Sequence, residues 1–367
     1  MHNLNSSPLE RLGEVLPIFS LTIGNRTQQV KQAISEIKTT DPKLVNLSLY
    51  KLYNDSYNKA LYGVFPDIDP THPLWEKVQQ FKLNTADFAA HKSYQQTKQI
   101  IDANSDNEIK QIVGKFNRYQ SAEYNAIIAR SRTAKQWSIF QEEKHLYPNM
   151  EWLPSRSANP RPEHQAYWGL ILPMNDPFWS ENQPGNLYGC KCDWKTTDAD
   201  PTSEPDNIIP PNKGLEGNPY ETGEIFSDNH PYFDNTPKAD EKEVDHFLIK
   251  QIRDDNTKLA MSDLRNNNYT IDVEDKEHPL LFSRVGLKHM FHNTHPYQSL
   301  KDLSIPYLPE IIKNAELIEI KEAGKNEGLV RRYLYYKYTI LDKDAYINIR
   351  EMYNGDMIAY AITPNIK

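Results

Sequence analysis

Three histidines stand at intervals of three residues in the last third of the chain, at His289, His292 and His295. An imidazole titrates near neutral pH, so it can take up or release a proton under physiological conditions. Cleavage of RNA without a metal ion needs a base for the 2′-hydroxyl proton, an acid for the leaving oxygen and cations for the phosphate. If this segment is helical, His289 and His292 lie on one face about one turn apart. The spacing therefore predicts catalytic roles for His289 and His292.

Cations and aromatic rings accompany these histidines. Lys288 and Arg331 can supply positive charge to a phosphate, and Tyr335 belongs to a tyrosine-rich stretch whose rings can stack on bases. Alternation along a strand predicts that Arg331 and Arg332 point to opposite faces, so at most one of them enters a cleft. A structural interpretation stays open, because such histidines also cap helices or fill turns and strand tyrosines pack sheets.

The charge distribution limits where nucleic acid could bind. The chain of 367 residues carries a net charge of −8, which argues against a protein that binds nucleic acid over its whole surface. The stretch 279–367 holds 12 Lys and Arg against 10 Asp and Glu, so the acidic excess lies elsewhere. We therefore expect any contact with RNA in this last part of the chain.

A second group of residues suits metal binding. His164, Cys190 and Cys192 are soft or borderline ligands in a segment rich in Gly and Pro, and they could hold Zn²⁺ if folding brings them together. Structural zinc sites usually place two to four residues between paired cysteines, whereas here there is one, and no fourth ligand is assigned. The alternative is that His164 bridges loop backbone while the cysteines are small buried residues.

Composition excludes several classes of protein. The two cysteines are too close together for an unstrained disulfide that closes a useful loop, so a secreted disulfide scaffold is excluded. The first residues lack the pattern of a signal peptide, and no run approaches the roughly 18 apolar residues of a membrane span. We expect a protein of a reducing cytoplasm, or of a particle assembled there, without a membrane partner.

Periodicity divides the chain into four ranges. Residues 1–123 form a helical region, in which apolar residues recur every three or four positions and Asp106 is expected to cap a helix. Within the second range, 124–196, the proline-rich segment Pro148–Trp194 holds four of the six tryptophans, which predicts a packed aromatic core. Residues 197–239 are rich in Pro, Asp and Asn and predict a linker, which Phe226, Tyr232 and Phe233 could attach to a neighbouring surface.

The fourth range, 240–367, begins with helices and ends with alternating segments. Leu317–Lys321, Leu329–Leu341, Ala345–Tyr353 and Met357–Thr363 predict an antiparallel sheet of about four strands. The Asn354-Gly355 pair between two of these segments is a strong hairpin signal. The predicted fold class is therefore α+β.

The segment from about Tyr124 to Trp194 resembles the phage Mu F-like minor head family. An arginine-rich helix containing Arg130 and Arg132 is followed by a set of landmarks in the order and spacing typical of that family. These are Arg161-Pro162-Glu163-His164, Gly169, Pro173, Asp176-Pro177-Phe178-Trp179, Pro184-Gly185-Asn186 and Gly189-Cys190-Lys191-Cys192. Ser155 departs from the pattern, because the family often has an Asp there.

This resemblance implies a minor capsid protein present in few copies. Such proteins act near the portal during head assembly and have no known catalytic role there. The implied partners are portal and capsid proteins, and the implied location is the virion, assembled in the cytoplasm of a bacterial host.

The range 240–367 resembles the phage-associated nucleases related to barnase, EndoU, colicin and RelE ribonucleases. The likeness is mostly architectural, with Gly286-Leu287-Lys288-His289, Leu308-Pro309-Glu310 and Asn314-Ala315 as its motifs. It implies a toxin domain that cleaves RNA without a metal cofactor and that an immunity protein could inhibit. The alternative is a purely structural head protein whose last domain docks on portal or capsid.

Overall fold

The computed structural model describes residues 23–366 except 40, 67, 161, 204, 206, 267–269, 272–279 and 326. The chain forms two compact units. The larger unit comprises Ser20–Pro66 and Gln80–Phe247, and the smaller unit includes Asp67–Gln79 and Leu248–Lys367.

Helices make up most of the described chain. They are α1 Ile23–Ile37, α2 Leu47–Tyr62, α3 Trp75–Asp102, α4 Asp106–Glu143, α5 Pro162–Gln165, α6 Phe178–Glu181, α7 Pro219–Thr222, α8 Pro231–Asp234, α9 Lys238–Asn266, α10 Arg284–His292, α11 Gln298–Ser304 and α12 Leu308–Asn314. A 3₁₀ turn, Ile305–Tyr307, joins the last two. None of the described helices is both long and apolar enough to cross a membrane.

The long helices of the larger unit follow the predicted apolar periodicity. In α2 the residues Leu49, Leu52, Tyr53 and Tyr57 are all buried, as their spacing of three and four indicates. The expected cap of α4 is wrong by one residue: the Ser105 side chain accepts a hydrogen bond from the Glu108 amide, and Asp106 is already helical. The reason is that a short hydroxyl in extended backbone fits the N-cap position, while an acidic residue also suits the first turn.

The loop-rich range folds around a small antiparallel sheet. Its strands are β1 Asn149–Leu153, β2 Ile171–Pro173 and β3 Asp193–Thr197, in the order β2-β1-β3. Trp152, Trp179 and Trp194 are buried in one cluster, so the predicted aromatic core is confirmed.

Segment 197–239, for which the sequence predicts a linker, holds buried anchors within the larger unit. The Phe226 ring stacks on Phe88 of α3 at 3.8 Å between ring centroids. The Asn84 side chain exchanges hydrogen bonds with the backbone of Ile225 and Phe226, and the Tyr232 hydroxyl donates to the Glu123 carboxylate at 3.1 Å. Apolar and polar anchors therefore hold much of this proline-rich segment in place.

The smaller unit is built on a six-stranded sheet. Its strands are β4 Thr270–Ile271, β5 Leu280–Phe282, β6 Glu316–Glu322, β7 Val330–Ile340, β8 Lys343–Met352 and β9 Met357–Thr363. Their order is β4-β5-β9-β8-β7-β6, with β5 parallel to β9 and the other neighbours antiparallel. The predicted meander of four strands is β6 to β9, and the α+β class is confirmed.

Turn chemistry and burial fix the sheet of the smaller unit. Gly355 has a φ of 91°, which the predicted Asn-Gly hairpin requires between β8 and β9. Ile347 and Ile349 are fully buried, as are Leu287 and Met290 of α10, so one face of the sheet belongs to the core. Strand β6 forms an edge of the sheet and exposes Leu317 and Ile320.

Candidate functional site

The predicted metal ligands meet in the larger unit. The His164 Nδ1 atom lies 3.2 Å from the Cys190 Sγ atom and 3.7 Å from the Cys192 Sγ atom. The ligand atoms of these three residues all lie within 4.8 Å of one another. His164 is buried, whereas both cysteines are half-buried and free of a disulfide.

Short elements around the aromatic core position this group. His164 lies on α5, and its ring contacts the Trp152 ring of β1 edge to face at 5.1 Å between centroids. Gly189, with a φ of 76°, turns the chain just before Cys190 in a conformation that favours glycine. At Gly185 a Cβ atom would lie 3.3 Å from the Ala129 side chain, so this loop packs tightly on α4.

Hydrogen bonding between the two thiols shifts their pKa values in opposite directions. The hydrogen bond from Cys190 lowers the pKa of Cys192, and the neighbouring His164 adds to this effect. The same hydrogen bond, together with burial, raises the pKa of Cys190. Cys192 is therefore the thiol that loses its proton more readily, and the thiolate is the form of cysteine that binds metal ions.

The nitrogen-to-sulfur separations in this group are compatible with a metal site. Tetrahedral bonds to sulfur and imidazole nitrogen place these atoms about 3.6 Å apart, calculated from ordinary zinc bond lengths. The two measured nitrogen-to-sulfur distances, 3.2 and 3.7 Å, lie on either side of this value. The group can therefore hold a metal ion, with three ligand side chains from the described residues.

The arginines of residues 124–196 have unequal surroundings. Arg130 is almost fully buried, and its guanidinium donates to the carbonyl oxygens of Leu215, Glu216 and Gly217 at 2.7, 3.0 and 3.0 Å. These contacts with loop carbonyls give Arg130 a structural role. Arg132 is exposed, and Arg161 lies outside the described residues.

In the smaller unit, His289 contacts the sheet. Its Nε2 atom lies 2.9 Å from the Tyr360 hydroxyl of β9, and the two rings lie 4.6 Å apart. His289 is exposed on α10, so its imidazole is accessible from solvent. Gly286 makes this contact possible, because a Cβ atom there would lie 2.4 Å from the Ala359 carbonyl oxygen. The close approach of α10 to β9 brings His289, one turn later, to Tyr360.

Tyr360 also contacts an arginine that the sequence analysis did not single out. The Arg350 guanidinium carbon lies 3.2 Å from the centroid of the Tyr360 ring and 5.9 Å from that of Tyr333. Between β8 and β9 the register shifts, since Asn348 pairs with Ala361 and Ile349 pairs with Ala359. Tyr360 is therefore the extra residue of a β-bulge, a feature that redirects side chains and often lies beside active sites.

The other two histidines of the run have different surroundings. The His292 Nδ1 atom lies 2.8 Å from the Lys288 carbonyl oxygen, which can only accept, so Nδ1 carries the proton. The side chains of His292 and Lys288 are both exposed. His295 is buried, receives a hydrogen bond from the Tyr297 amide and donates to the Asp344 carbonyl oxygen, and burial lowers its pKa. His295 thus joins a loop to the start of β8.

The prediction for Arg331 and Arg332 is wrong in its geometry. Arg331 Nη1 lies 3.2 Å from Glu351 Oε1, and Arg332 Nε lies 2.6 Å from Glu351 Oε2. Both guanidinium groups therefore reach one carboxylate, although alternation predicts opposite faces. The register shift between Val330 and Arg332 in the pairing with β8 is the physical reason.

Tyr335 is less accessible than its predicted role requires. It is 4% exposed, and burial raises the pKa of its hydroxyl. The Lys321 Nζ atom lies 5.7 Å from its ring centroid. The neighbouring Tyr333 is only half-buried, and it is the tyrosine that faces Arg350.

Sequence reasoning therefore missed Tyr360 as the contact of His289, and Arg350 as the cation that lies on the Tyr360 ring. Alternation along β8 does put Arg350 on one face with Asn348, and that was the available signal. The bulge at Tyr360 has no comparable signature, because one extra residue leaves the strand pattern almost unchanged.

Two groups of residues in the described chain suit a chemical function. The metal-ligand group lies in the larger unit, and the His289–Tyr360–Arg350 group lies in the smaller unit. Comparison of the chain with models of known protein families, with curated proteins and with solved structures gave no match.

Proposed function

We propose that the chain is a minor head protein of a phage or prophage, and that residues 124–196 form its Mu F-like head morphogenesis module. The observation that carries this proposal is the single aromatic core that gathers the landmarks of the motif. Trp179 and Trp194 belong to the same buried cluster as Trp152, whose ring contacts His164. Motifs that followed one another by chance would not be expected to share one core.

On this proposal the protein acts in capsid assembly near the portal. Its partners are portal and capsid proteins, and it resides in the virion after assembly in the host cytoplasm. The buried Arg130 supports an architectural role, since its guanidinium binds loop carbonyls of this chain. Residues 124–196 then contribute shape and contact surface, not catalysis.

Zinc is the metal ion we propose for His164, Cys190 and Cys192. Thiolate and imidazole are ligands that Zn²⁺ prefers, whereas Mg²⁺ and Ca²⁺ prefer oxygen. With three protein ligands, a fourth position remains for water or for a side chain of a partner protein. The ion would join α5 to the loop before β3, so its role is structural.

Head assembly can be tested with the full chain. It would be expressed together with the portal and major capsid proteins of one phage, and the heads would be purified by sedimentation. We expect the chain to sediment with heads and to remain at the top of the gradient when the portal protein is left out. Sedimentation with heads that lack the portal protein, or no association with heads at all, would contradict the proposal.

A second proposal is that the smaller unit is a toxin-like ribonuclease that uses no metal cofactor. The accessible imidazole of His289, held against the sheet by Tyr360, favours this function. As general base, His289 takes the proton of the 2′-hydroxyl, and the 2′-oxygen forms a bond to phosphorus. The bond from phosphorus to the 5′-oxygen breaks, and that oxygen receives a proton from an acid, for which His292 is the candidate. The products are a 2′,3′-cyclic phosphate and a 5′-hydroxyl.

Ribonuclease activity can be tested on total RNA or tRNA in the presence of a chelator. We expect cleavage by the full chain and a loss of roughly 10²–10⁴-fold in the variant with His289→Ala and His292→Ala. The exposed His246→Ala in the larger unit serves as the matched control. Cleavage that survives in the double variant would remove the enzyme proposal. A chain that sediments with heads but cleaves no RNA would favour the alternative, in which the smaller unit docks on portal or capsid.

A further inference from the structure

We infer that Arg350 is the residue that binds the scissile phosphate of RNA in the smaller unit, beside His289. This inference rests on the proposed ribonuclease function and deepens it, because it assigns the phosphate to a residue outside the histidine run. Tyr360 joins the two groups: its hydroxyl contacts the imidazole, and its ring lies under the guanidinium.

Arg350 carries a positive charge that no carboxylate neutralises within the described part of the chain. Its contacts are the faces of Tyr360 and Tyr333, and its Nε atom has no hydrogen-bond partner. A guanidinium is charged at every physiological pH and offers a planar set of donors that matches phosphate oxygens. The Nε atom is enclosed, but the residue as a whole is only half-buried, so part of the side chain is open to solvent.

The other cations of this sheet differ from Arg350. Arg331 and Arg332 share the Glu351 carboxylate, and Lys337 pairs with Asp344 at 2.9 Å. Their charges are balanced by residues of the same sheet, so they are weaker candidates for an anion. Among the arginines and lysines of the described sheet strands, Arg350 is thus the one that rests on aromatic faces without a counter-charge.

A neighbouring acceptor extends the site along β8. Asn348 stands two residues before Arg350, on the same face of the strand, and is 8% exposed. Its Oδ1 atom has no hydrogen-bond partner among the described residues. An unpaired acceptor beside a phosphate-binding cation suits a ribose hydroxyl or a base amino group of the same nucleotide.

In the cleavage step Arg350 moves no proton. Negative charge grows on the non-bridging phosphate oxygens while the 2′-oxygen adds and the 5′-oxygen leaves. A guanidinium held in place on the Tyr360 ring stabilises that charge without reorganising. Substrate binding and turnover should therefore both depend on Arg350, and turnover should depend on it more.

Binding is tested first, with an oligonucleotide that cannot be cleaved. A fluorescent RNA with 2′-O-methyl riboses is titrated with the full chain, and anisotropy is recorded over a range of salt concentrations. We expect Arg350→Gln to weaken binding by about tenfold or more. The slope of log K against log salt should fall by roughly 0.7, the value for one phosphate contact on a single strand. Arg350→Lys should keep part of the affinity, and the exposed Arg118→Ala of the larger unit should keep all of it.

Cleavage of ordinary RNA separates the inference from the function on which it rests. We expect Arg350→Gln to lower kcat by roughly 10²–10³-fold. If wild-type protein cleaves RNA and Arg350→Gln cleaves and binds equally well, the inference is overturned and the ribonuclease stands. If nothing is cleaved but binding still depends on Arg350, the ribonuclease fails and the phosphate site stands.

A loss of folding would not hide the answer. Thermal unfolding of each variant shows whether the smaller unit remains intact, and rescue by Arg350→Lys separates loss of charge from loss of packing. Should Arg350→Gln not fold, the Arg350 Nε–H resonance of isotope-labelled wild-type protein is followed during titration with the methylated RNA. An unchanged resonance at saturating RNA would overturn the inference.

Discussion

His164 stands more than twenty residues before Cys190 in the sequence, yet their ligand atoms lie at the separation of a metal site. The segment between them contains β2, α6, several prolines and left-handed glycines, and a bound ion would join its two ends. The unfolded chain has no preformed site for this ion. The free energy of binding the ion would therefore add to the free energy of folding.

Zinc content tests this group residue by residue. We expect about one zinc per purified chain and its loss in Cys192→Ser, together with a lower thermal midpoint on addition of a chelator. Elemental analysis and thermal unfolding measure the two effects. The exposed His145→Ala is the control, since it removes an imidazole of the same unit outside the group. Wild-type protein with well under one zinc per chain would exclude the zinc proposal.

His230 predicts a dependence of stability on pH. Burial lowers the pKa of His230 to about 3, with Lys92 and Lys213 adding to the effect, and its Nδ1 atom accepts the Tyr232 amide. Between that value and the ordinary histidine pKa of about 6.5, the unfolded chain binds a proton that the folded chain does not. Stability is therefore lost as the pH falls below about 6.5, by about 2 kcal/mol between pH 7 and pH 5.

Urea unfolding at those two pH values checks the prediction. In His230→Asn the side chain can still cap α8, but it no longer titrates, so the loss between pH 7 and pH 5 should shrink. The exposed His246→Gln should leave the difference unchanged. An unaltered pH dependence in His230→Asn would show that other groups cause it.

At the scale of elements, the approach of α10 to β9 depends on one glycine. An added Cβ at Gly286 would lie 2.4 Å from the Ala359 carbonyl oxygen, which belongs to the backbone and cannot move aside easily. In a helix without such a clash, replacing Gly by Ala raises the free energy of unfolding by about 1 kcal/mol. A decrease in the free energy of unfolding would therefore identify the clash. We expect Gly286→Ala to lower the free energy of unfolding by about 1–3 kcal/mol.

Denaturant unfolding measures this change, and Gly324→Ala is the control because its nearest contact would be an ordinary 3.8 Å. Since the same clash would separate His289 from Tyr360, RNA cleavage should fall in parallel. A stabilised Gly286→Ala variant would contradict the close approach.

Arg130 links α4 to the segment that follows the small sheet. Its three hydrogen bonds to carbonyl oxygens of residues 215–217 are buried, so removing the guanidinium leaves those oxygens unpaired. We expect Arg130→Met to cost about 2–4 kcal/mol of unfolding free energy. Arg132→Met, an exposed change on the same helix, should cost little in the same denaturant titration. Equal losses of unfolding free energy in the two variants would contradict the structural role of Arg130.

Elements could be predicted where the pattern is local. The alternating runs at β6 to β9 and the Asn354-Gly355 turn fix strand positions within about two residues, because each depends on neighbours in sequence. The His164 and cysteine group was found for a different reason, since these residue types are rare and chemically distinct.

The parts of the site that could not be predicted depend on contacts between residues that are far apart in the sequence. His289 meets Tyr360 across 71 positions, and only the packing of α10 on a bulged strand brings them together. Arg331 and Arg332 show the same limit, because a register shift changed the faces that alternation assigns to them. Charge alone could not show which arginine lacks a carboxylate partner.

For the whole molecule, the two units carry different chemistry. The larger unit holds the thiol and imidazole group, and the smaller unit holds the histidine and arginine on the sheet. The ranges 1–123, 124–196, 197–239 and 240–367 stay a prediction about domain organisation. A head protein with a separate RNA-cleaving unit would bring an enzyme to the place where the particle is built.

The edge strand β6 affects how the chain behaves at high concentration. It exposes Leu317, Ile318 and Ile320, and no described strand pairs with its outer side. An open edge of this kind can recruit a second chain into amyloid-like stacking, and the interleaved charges of Glu319 and Lys321 oppose this. The hazard of such stacking rises with the concentration of the chain. The charges of Glu319 and Lys321 thus help to keep the chain soluble where it is concentrated.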